Sequence, residues 1–290
     1  CDRRQRQMCI RDRYGNLGKV ENKGLDFSID YVKRFNNDFD MSFKGTFTYA
    51  HNKVLEYDEP DFQKYPNISR VGHSVDQQLL YIAERLFIDD SEVQRNPKQN
   101  LGGWVSGGDI KYKNLPDVNG NYDNVIDSND RQYTGMPTTP EIVYGFGPSF
   151  RYKKFDFSFF FQGAARVSIM MNGIHPFGAE GTRNVLQFIA DDYWSETNQN
   201  IYAEYPRLSK RDNENNTKAS TYWQRNGAFL KLKNLEVGFN HKFFRVYLRG
   251  SNLLTFSPFK YWDPEMGSGS GLSYPTQRVF NVGVQFSINK

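Results

Sequence analysis

In several stretches of this chain apolar and polar residues alternate one by one, the period of a strand with two unlike faces. From Leu25 to Phe35, Leu25, Phe27, Ile29 and Tyr31 fall on one side, and Asp26, Ser28 and Asp30 on the other. Asn36, Asn37 and Asp38 supply turn chemistry. Phe39, Met41, Phe43, Gly45, Phe47 and Tyr49 then alternate with Asp40, Ser42, Lys44, Thr46 and Thr48. A second hairpin follows, in which Ile142, Tyr144, Phe146, Phe150 and Tyr152 lead through Lys153 and Lys154 to Phe155, Phe157, Phe159 and Phe161. Four Phe on one face suit a wall that faces lipid better than a sandwich strand. A third hairpin is weaker, with Leu235, Val237 and Phe239 before a turn near His241 and the segment Phe243 to Leu254 after it. The last strand is clean, with Phe280, Val282, Val284, Phe286 and Ile288 set against Asn281, Gly283, Gln285, Ser287 and Asn289.

The pattern predicts about seven strands of roughly the 9–11 residues a tilted strand needs to cross a bilayer. Tight connections at 36–38, 153–154 and 240–242 alternate with long ones over 53–140, 170–227 and 255–277. Outer-membrane barrels alternate short periplasmic turns with long extracellular loops in this way. By that parity the seventh strand descends and the C-terminus is periplasmic. The long loops carry local signals of their own. Thr182 to Trp194 has Leu186, Ile189, Ala190, Tyr193 and Trp194 near helical spacing, and Ser91 to Arg95 predicts a helical turn. Residues 75–87 allow either a helix or an extended segment. KRDNENNTK (210–218) and GSGSG (267–271) read as exposed loop.

Composition narrows the class. Only 38% of the 290 residues are hydrophobic and no run reaches 18 apolar residues, so no transmembrane helix is expected. A soluble domain can carry an aromatic share of 16%, with 24 Phe and 18 Tyr, but aromatic-rich alternating strands are what a lipid-facing wall and its interfacial girdles need. Net charge is +4, and residues 1–13 (CDRRQRQMCIRDR) contribute +3 of it from five Arg and two Asp. The remainder is nearly neutral, which gives no electrostatic case for nucleic acid. Both cysteines, Cys1 and Cys9, lie in that stretch, so residues 14–290 offer neither a disulfide nor a cysteine metal site. Residues 1–13 read as a lipidated start, as a basic arm or as a foreign segment. The last is favoured, because MCIRDR resembles translated adapter sequence, and the segment is left out of the fold. No signal peptide is visible, so the true N-terminus is expected to lie upstream.

Six strings, in order, resemble the C-terminal region of the SusC/RagA family of TonB-dependent outer-membrane transporters. They are NLGKVENKGLDFSIDY (16–31), SGGDIKYKNLPDVNG (106–120) with VIDSNDRQYTGMPTTPEIVYGF (125–146), FDFSFFFQG (155–163), YWSETNQN to YPRLS (193–209), FLKLKNLEVGF (229–239) and SNLLTFSPFKYWDPE (251–265). The resemblance covers about 14–290. It implies an all-β fold, here a partial transmembrane antiparallel barrel whose extracellular loops carry short helices. It further implies a barrel of about 22 strands closed by an N-terminal plug. A SusD-like lipoprotein cap, energy from a TonB complex acting through the absent N-terminal part, and uptake of an oligosaccharide or peptide complete the implied system. Seven strands alone leave open edges that a bilayer does not tolerate, so this part is not expected to transport unaided.

Candidate chemistry is sparse. Asn281, Gly283, Phe286 and Ile288 fit the pattern of a C-terminal strand read by barrel-assembly machinery through edge addition; an ordinary terminal strand with a glycine gives much of the same match. Asp117, Asn119, Asn121, Asp123, Asp127 and Asp130 form an oxygen-rich cluster that could hold a structural Ca²⁺. Tyr122 stands where a calcium loop has glycine, and an Asn/Asp turn cluster is the commoner explanation. Trp104, Tyr112, Trp194, Trp223, Tyr261 and Trp262 lie in the long loops, where they could stack on sugar rings or pack among the loops or against a cap. His51, His73, His175 and His241 are scattered, and no nucleophile elbow, zinc-protease helix or phosphate loop is present, so the chain reads as no enzyme and requires no cofactor. Two other classes share parts of the pattern. A passive porin or adhesin barrel would have the same wall, and a soluble β-sandwich binding module would cover its apolar faces with a second sheet.

Overall fold

The computed structural model describes residues 15, 17–175, 184–210 and 213–287. The segment 1–13 and Ile288 lie outside the described residues. Seven long strands form one antiparallel sheet in chain order: β1 (Lys19–Arg34), β2 (Phe39–Glu56), β3 (Ile142–Tyr152), β4 (Phe155–Ala165), β5 (Phe229–Asn240), β6 (Phe244–Phe256) and β7 (Val279–Phe286). The expected connections are present, with tight turns after β1, β3 and β5 and long loops over 57–141, 166–228 and 257–278. The turns are braced side by side. Lys153 N donates to Asp38 O at 2.6 Å, and Asn240 N donates to Lys154 O at 2.6 Å.

Register converts the alternation into rows that run across the wall. Met41, Phe150, Phe157, Val237, Leu248 and Val282 are successive partners, as are Phe39, Tyr152, Phe155, Phe239, Val246 and Val284. Rings meet along these rows, with Phe150 6.5 Å from Phe157 and Phe155 5.3 Å from Phe239, and also along β4, with Phe157 5.7 Å from Phe159 and Phe159 5.8 Å from Phe161. Yet these side chains stay open: Phe157 is 38%, Leu248 58% and Val282 74% exposed. The opposite face carries charge. Asp40 pairs with Arg151; Arg245 bridges Asp156 and Glu236, the latter at 2.7 Å; and Arg249 lies 3.3 Å from Glu236. The other sheets among the described residues have only two strands each, so no second sheet covers the apolar face. The soluble-sandwich alternative calls for such a sheet, and none stands there among the described residues.

Several element bounds differ from the sequence reading for identifiable reasons. β1 starts at Lys19 rather than Leu25, and β1 and β2 run 16 and 18 residues. Their outer ends pair polar with polar, as in Asn22 with Asn52 and Lys23 with His51, so no apolar alternation marks them. β5 starts at Phe229 rather than Leu235. A bulge at Lys233 shifts the register between Leu232 and Asn234. The apolar positions therefore change from Leu230 and Leu232 to Leu235 and Val237, which breaks the pattern within one strand. β7 ends at Phe286. Residues 75–87 are extended, as Gln78–Tyr81 and Ala83–Leu86. Helices α1 (Asp90–Arg95) and α2 (Gln187–Asp191) fall in the two segments where helical turns were expected, and α3 (Glu214–Thr217) adds one in an Asn-rich stretch.

Gly283 has a packing reason. On the charged face Tyr247 stands directly opposite it in the register, and a Cβ at Gly283 would meet the Tyr247 ring at 2.2 Å. The ring lies across the bare backbone, a device that compensates a strand glycine. Replacing Gly283 with Val should force the ring aside and cost about 1–3 kcal/mol. The check is a lower denaturant midpoint for the Gly283→Val protein, largely restored when Tyr247→Ala removes the ring.

Candidate functional site

The buried apolar cluster of this protein lies in the loops, not in the wall. Leu80, Leu86, Ile110 and Ile126 come from the first loop, Ile169, Met170, Ile189 and Trp223 from the second, and Phe259 from the third. Short strand pairs and cross-loop bonds knit the three together. Ala83–Leu86 pairs with Ile110–Tyr112. Tyr81 N donates to Ala219 O at 3.1 Å, Leu86 N to Ile201 O at 2.9 Å and Asn172 N to Gly269 O at 2.9 Å. A folded layer thus stands at one end of the wall, made from connections that are far apart in sequence.

Three polar clusters anchor this layer. Asp109 is fully buried. It accepts from Ser106 N at 2.8 Å, Asn216 Nδ2 at 2.9 Å, Asn213 Nδ2 at 3.0 Å and Arg207 Nη2 at 3.0 Å. A buried carboxylate is tolerable when its lone pairs are this fully engaged, and the result ties the first loop to the second. Glu141, at the start of β3, holds His51 Nδ1 at 2.5 Å and Arg166 Nε at 2.5 Å, linking the ends of β2, β3 and β4. Lys231 of β5 is buried and its Nζ lies 2.6 Å from Asp263 and 2.5 Å from Glu265, while Lys233 reaches Glu265 at 2.5 Å. That group fastens the third loop to the wall. Sequence reading missed all three clusters; a lysine in the apolar run FLKLKNL and the acids of WDPE were the signals available for the last.

The six loop aromatics do not form one site. Tyr112, Trp194 and Trp223 are buried in the loop core, where the Tyr112 hydroxyl donates to Asn215 O at 2.7 Å and Trp223 Nε1 to Asn216 O at 2.7 Å. Their rings are covered by other loop residues, so packing among the loops describes them. Tyr261 and Trp262 are partly buried against the same core through Phe259, with ring centres 5.3 and 4.6 Å away. Trp104 alone of the six is widely open, at 70% exposure.

The oxygen-rich cluster is built as turns. Asp117 Oδ1 accepts from Asn119 N and Asn121 N, both at 2.9 Å. Asp123 accepts from Val125 N, Asp127 from Asn129 N, and Asp130 from Leu115 N and Asp127 N, the last two at 2.7 Å. The backbone donor of Asn121 holds the Asp117 carboxyl below its ordinary range, whereas burial raises that of Asp130. Among the described residues no group of three or more His, Cys, Asp or Glu stands together to hold a metal. Of the assembly signal, Asn281, Gly283 and Phe286 lie in β7, whose outer edge is unpaired among the described residues.

A search of family models found none that matches this chain. Relatives do. The chain is 28% identical to TonB-dependent receptor P3 of Formosa agariphila, over 93% of its own length and 29% of that protein. It is 24% identical to TonB-dependent receptor SusC of Bacteroides thetaiotaomicron, over 93% of its length and 26% of that protein. In fold it resembles the RagAB peptide importer in its open-open state, with a TM-score of 0.67 and 19% identity, over 95% of this chain and 30% of that one. The chain spans less than a third of each of these proteins. The likeness carried by the six strings therefore extends over nearly the whole chain.

Glu92, at the start of α1, gives this layer a pH limit. Burial works to raise its pKa, but two Arg85 nitrogens at 2.5 and 3.0 Å, Ile88 N at 2.9 Å and Lys111 Nζ at 3.2 Å overcome it and hold the carboxyl at about 2. A depressed carboxylate contributes stability above its ordinary pKa of 4.5 and loses it as pH falls toward about 2. Protection factors of the amides across 84–95, taken against intrinsic rates at each pH, should fall over that window, and the Glu92→Gln variant should show low protection already at neutral pH.

Proposed function

We propose that this chain, part of a SusC/RagA-family TonB-dependent receptor, forms a section of the transmembrane wall and the outer vestibule of an outer-membrane nutrient importer. The observation that carries the proposal is the inverted polarity of the sheet. Apolar rows stand uncovered on one face, ion pairs line the other, and the buried apolar cluster is relegated to the loops. Hydrocarbon on one side and a polar lumen on the other is the environment that satisfies both faces. In this reading the three tight turns are periplasmic, the folded loops are extracellular and the C-terminus returns to the periplasm.

An oligosaccharide or peptide is the cargo, a SusD-like lipoprotein caps the vestibule and a TonB complex supplies energy through another part of the receptor. The names of SusC and of the RagAB peptide importer support this assignment. The chain's own role is to seal the membrane and shape the route. The porin or adhesin alternative explains the wall but not the receptor likeness across the loops.

The test exploits neighbouring residues on opposite faces. Phe159→Arg should place a charge in hydrocarbon at a cost of about 2–4 kcal/mol near mid-bilayer, whereas Ser158→Arg faces the polar side. In outer-membrane fractions the complete receptor carrying Phe159→Arg should be depleted, with Ser158→Arg near the parental level. Equal depletion of both, or a parental receptor that is soluble without detergent, rejects the proposal.

A further inference from the structure

We propose that the end of the wall formed by the three tight turns is a binding surface for anionic phospholipid headgroups of the periplasmic leaflet. The proposal rests on the membrane-wall reading and adds to it the lipid that this end of the sheet recognises. A lysine ammonium stands over an aromatic ring at each turn. Lys33 Nζ is 5.1 Å from the centre of Phe35, Lys153 Nζ 5.5 Å from that of Tyr152 and Lys242 Nζ 5.3 Å from that of Phe243. All three rings and all three lysines are exposed, as is Lys154. The rings continue into the apolar row next to them, with Phe35 5.1 Å from Phe39 and Phe39 6.4 Å from Tyr152. Aromatic side chains bounding an apolar face mark the edge of the hydrocarbon layer, so the ammonium groups lie at headgroup depth.

The charge at this end is one-sided. Asp38 is the single carboxylate in the three turns. The strand carboxylates Asp40, Asp156 and Glu236 lie on the opposite face and already hold Arg151 and Arg245. Among the described residues Lys33, Lys153, Lys154 and Lys242 make no ion pair. The other end of β1 differs, because its Lys23 and Glu21 neutralise each other at 2.8 Å. The backbone points the same way. Lys153 has φ of 53°, the left-handed region in which two-residue turns favour Asn or Gly. A lysine there bears a conformational cost at a place where charge is what it adds. Unpaired ammonium groups along the edge of an apolar wall complement a phosphodiester whose acyl chains lie against that wall. The phosphate meets the lysines, and the chains meet the rows through Phe155 and Phe157. A soluble protein partner would not require the charge to follow the edge of the apolar rows from turn to turn.

The test uses the complete receptor in detergent, with dioleoyl phosphatidylglycerol and dioleoyl phosphatidylcholine titrated separately and bound lipid counted by native mass spectrometry. The two lipids share their chains, so a difference between them reports the headgroup. A lysine near an anionic surface is worth about fivefold in affinity, so the parental receptor should bind phosphatidylglycerol at least about fivefold more tightly. The preference should vanish in a variant combining Lys33→Gln, Lys153→Gln, Lys154→Gln and Lys242→Gln, and persist when the same four positions carry Lys→Arg. It should also persist when Lys64→Gln, Lys98→Gln, Lys113→Gln and Lys260→Gln remove the same charge from exposed loop positions. No preference in the parental receptor, a preference that survives in the turn Gln set, or an equal loss in the loop set each overturns the proposal. So does displacement of the lipid by an equal concentration of glycerol 3-phosphate, which would make the site one for soluble phosphate. Localisation reports separately: absence of the receptor from the outer membrane rejects the wall reading, whereas a receptor located there without the lipid preference rejects the lipid surface alone.

Discussion

The structure depends on one constraint: a sheet wide enough to form a wall must satisfy two faces in two different solvents while leaving no backbone group unpaired between them. Each wall strand meets this by placing its apolar side chains in register with those of its neighbours, so that the rows through Phe157 and Phe155 run from strand to strand. The reverse face must then accept polar groups at every intervening position. Arg245 between Asp156 and Glu236 is what that requirement produces when the strands are tightly joined. Water on the Phe-bearing face would leave hydrophobic area of this extent uncompensated, whereas lipid makes it neutral or favourable.

A wall of this kind has no core of its own, so the residues that bury apolar surface must do so elsewhere. Here they do so in the long connections. The loop layer obeys the rules of an ordinary soluble domain, with close-packed Leu, Ile, Met and Trp, and with buried polar groups such as Asp109 and Asn215 fully engaged. It differs in being assembled from three distant segments. The wall brings those segments together, and the Glu141 and Lys231 clusters fix the layer back onto it. Each part therefore positions the other.

Legibility in the sequence followed the same division. The wall was readable because alternation is local: the four Phe of β4 and the clean β7 announce themselves within a few residues. It faded where the local rule was broken, at the Lys233 bulge that reverses the parity of β5, and at the polar outer ends of β1 and β2. The loop layer was readable only in pieces, such as the turn at α1. Its contacts join residues about a hundred positions apart, as Asp109 with Asn216, and no periodicity encodes such a pairing. The same limit separated Trp104 from Trp223: both stand in polar loop sequence, and burial alone distinguishes a core ring from a surface one.

That distinction divides the loop layer into positions that hold the fold and positions that do not. Residues that hold the layer together, including Trp223 and Asp109, are saturated by contacts inside it, so altering them would disturb packing first. Trp104, Gln94 and Lys98 are bound to the scaffold at one end only, through backbone or through Arg207. Substitution there touches few neighbours, and exposed positions away from packed features usually shift stability by within about 0.5 kcal/mol. The architecture thus separates a costly interior from a cheap rim. A rim carried on a rigid layer can vary in chemistry while its geometry stays fixed, because the wall and the packed layer beneath it are held by contacts of their own.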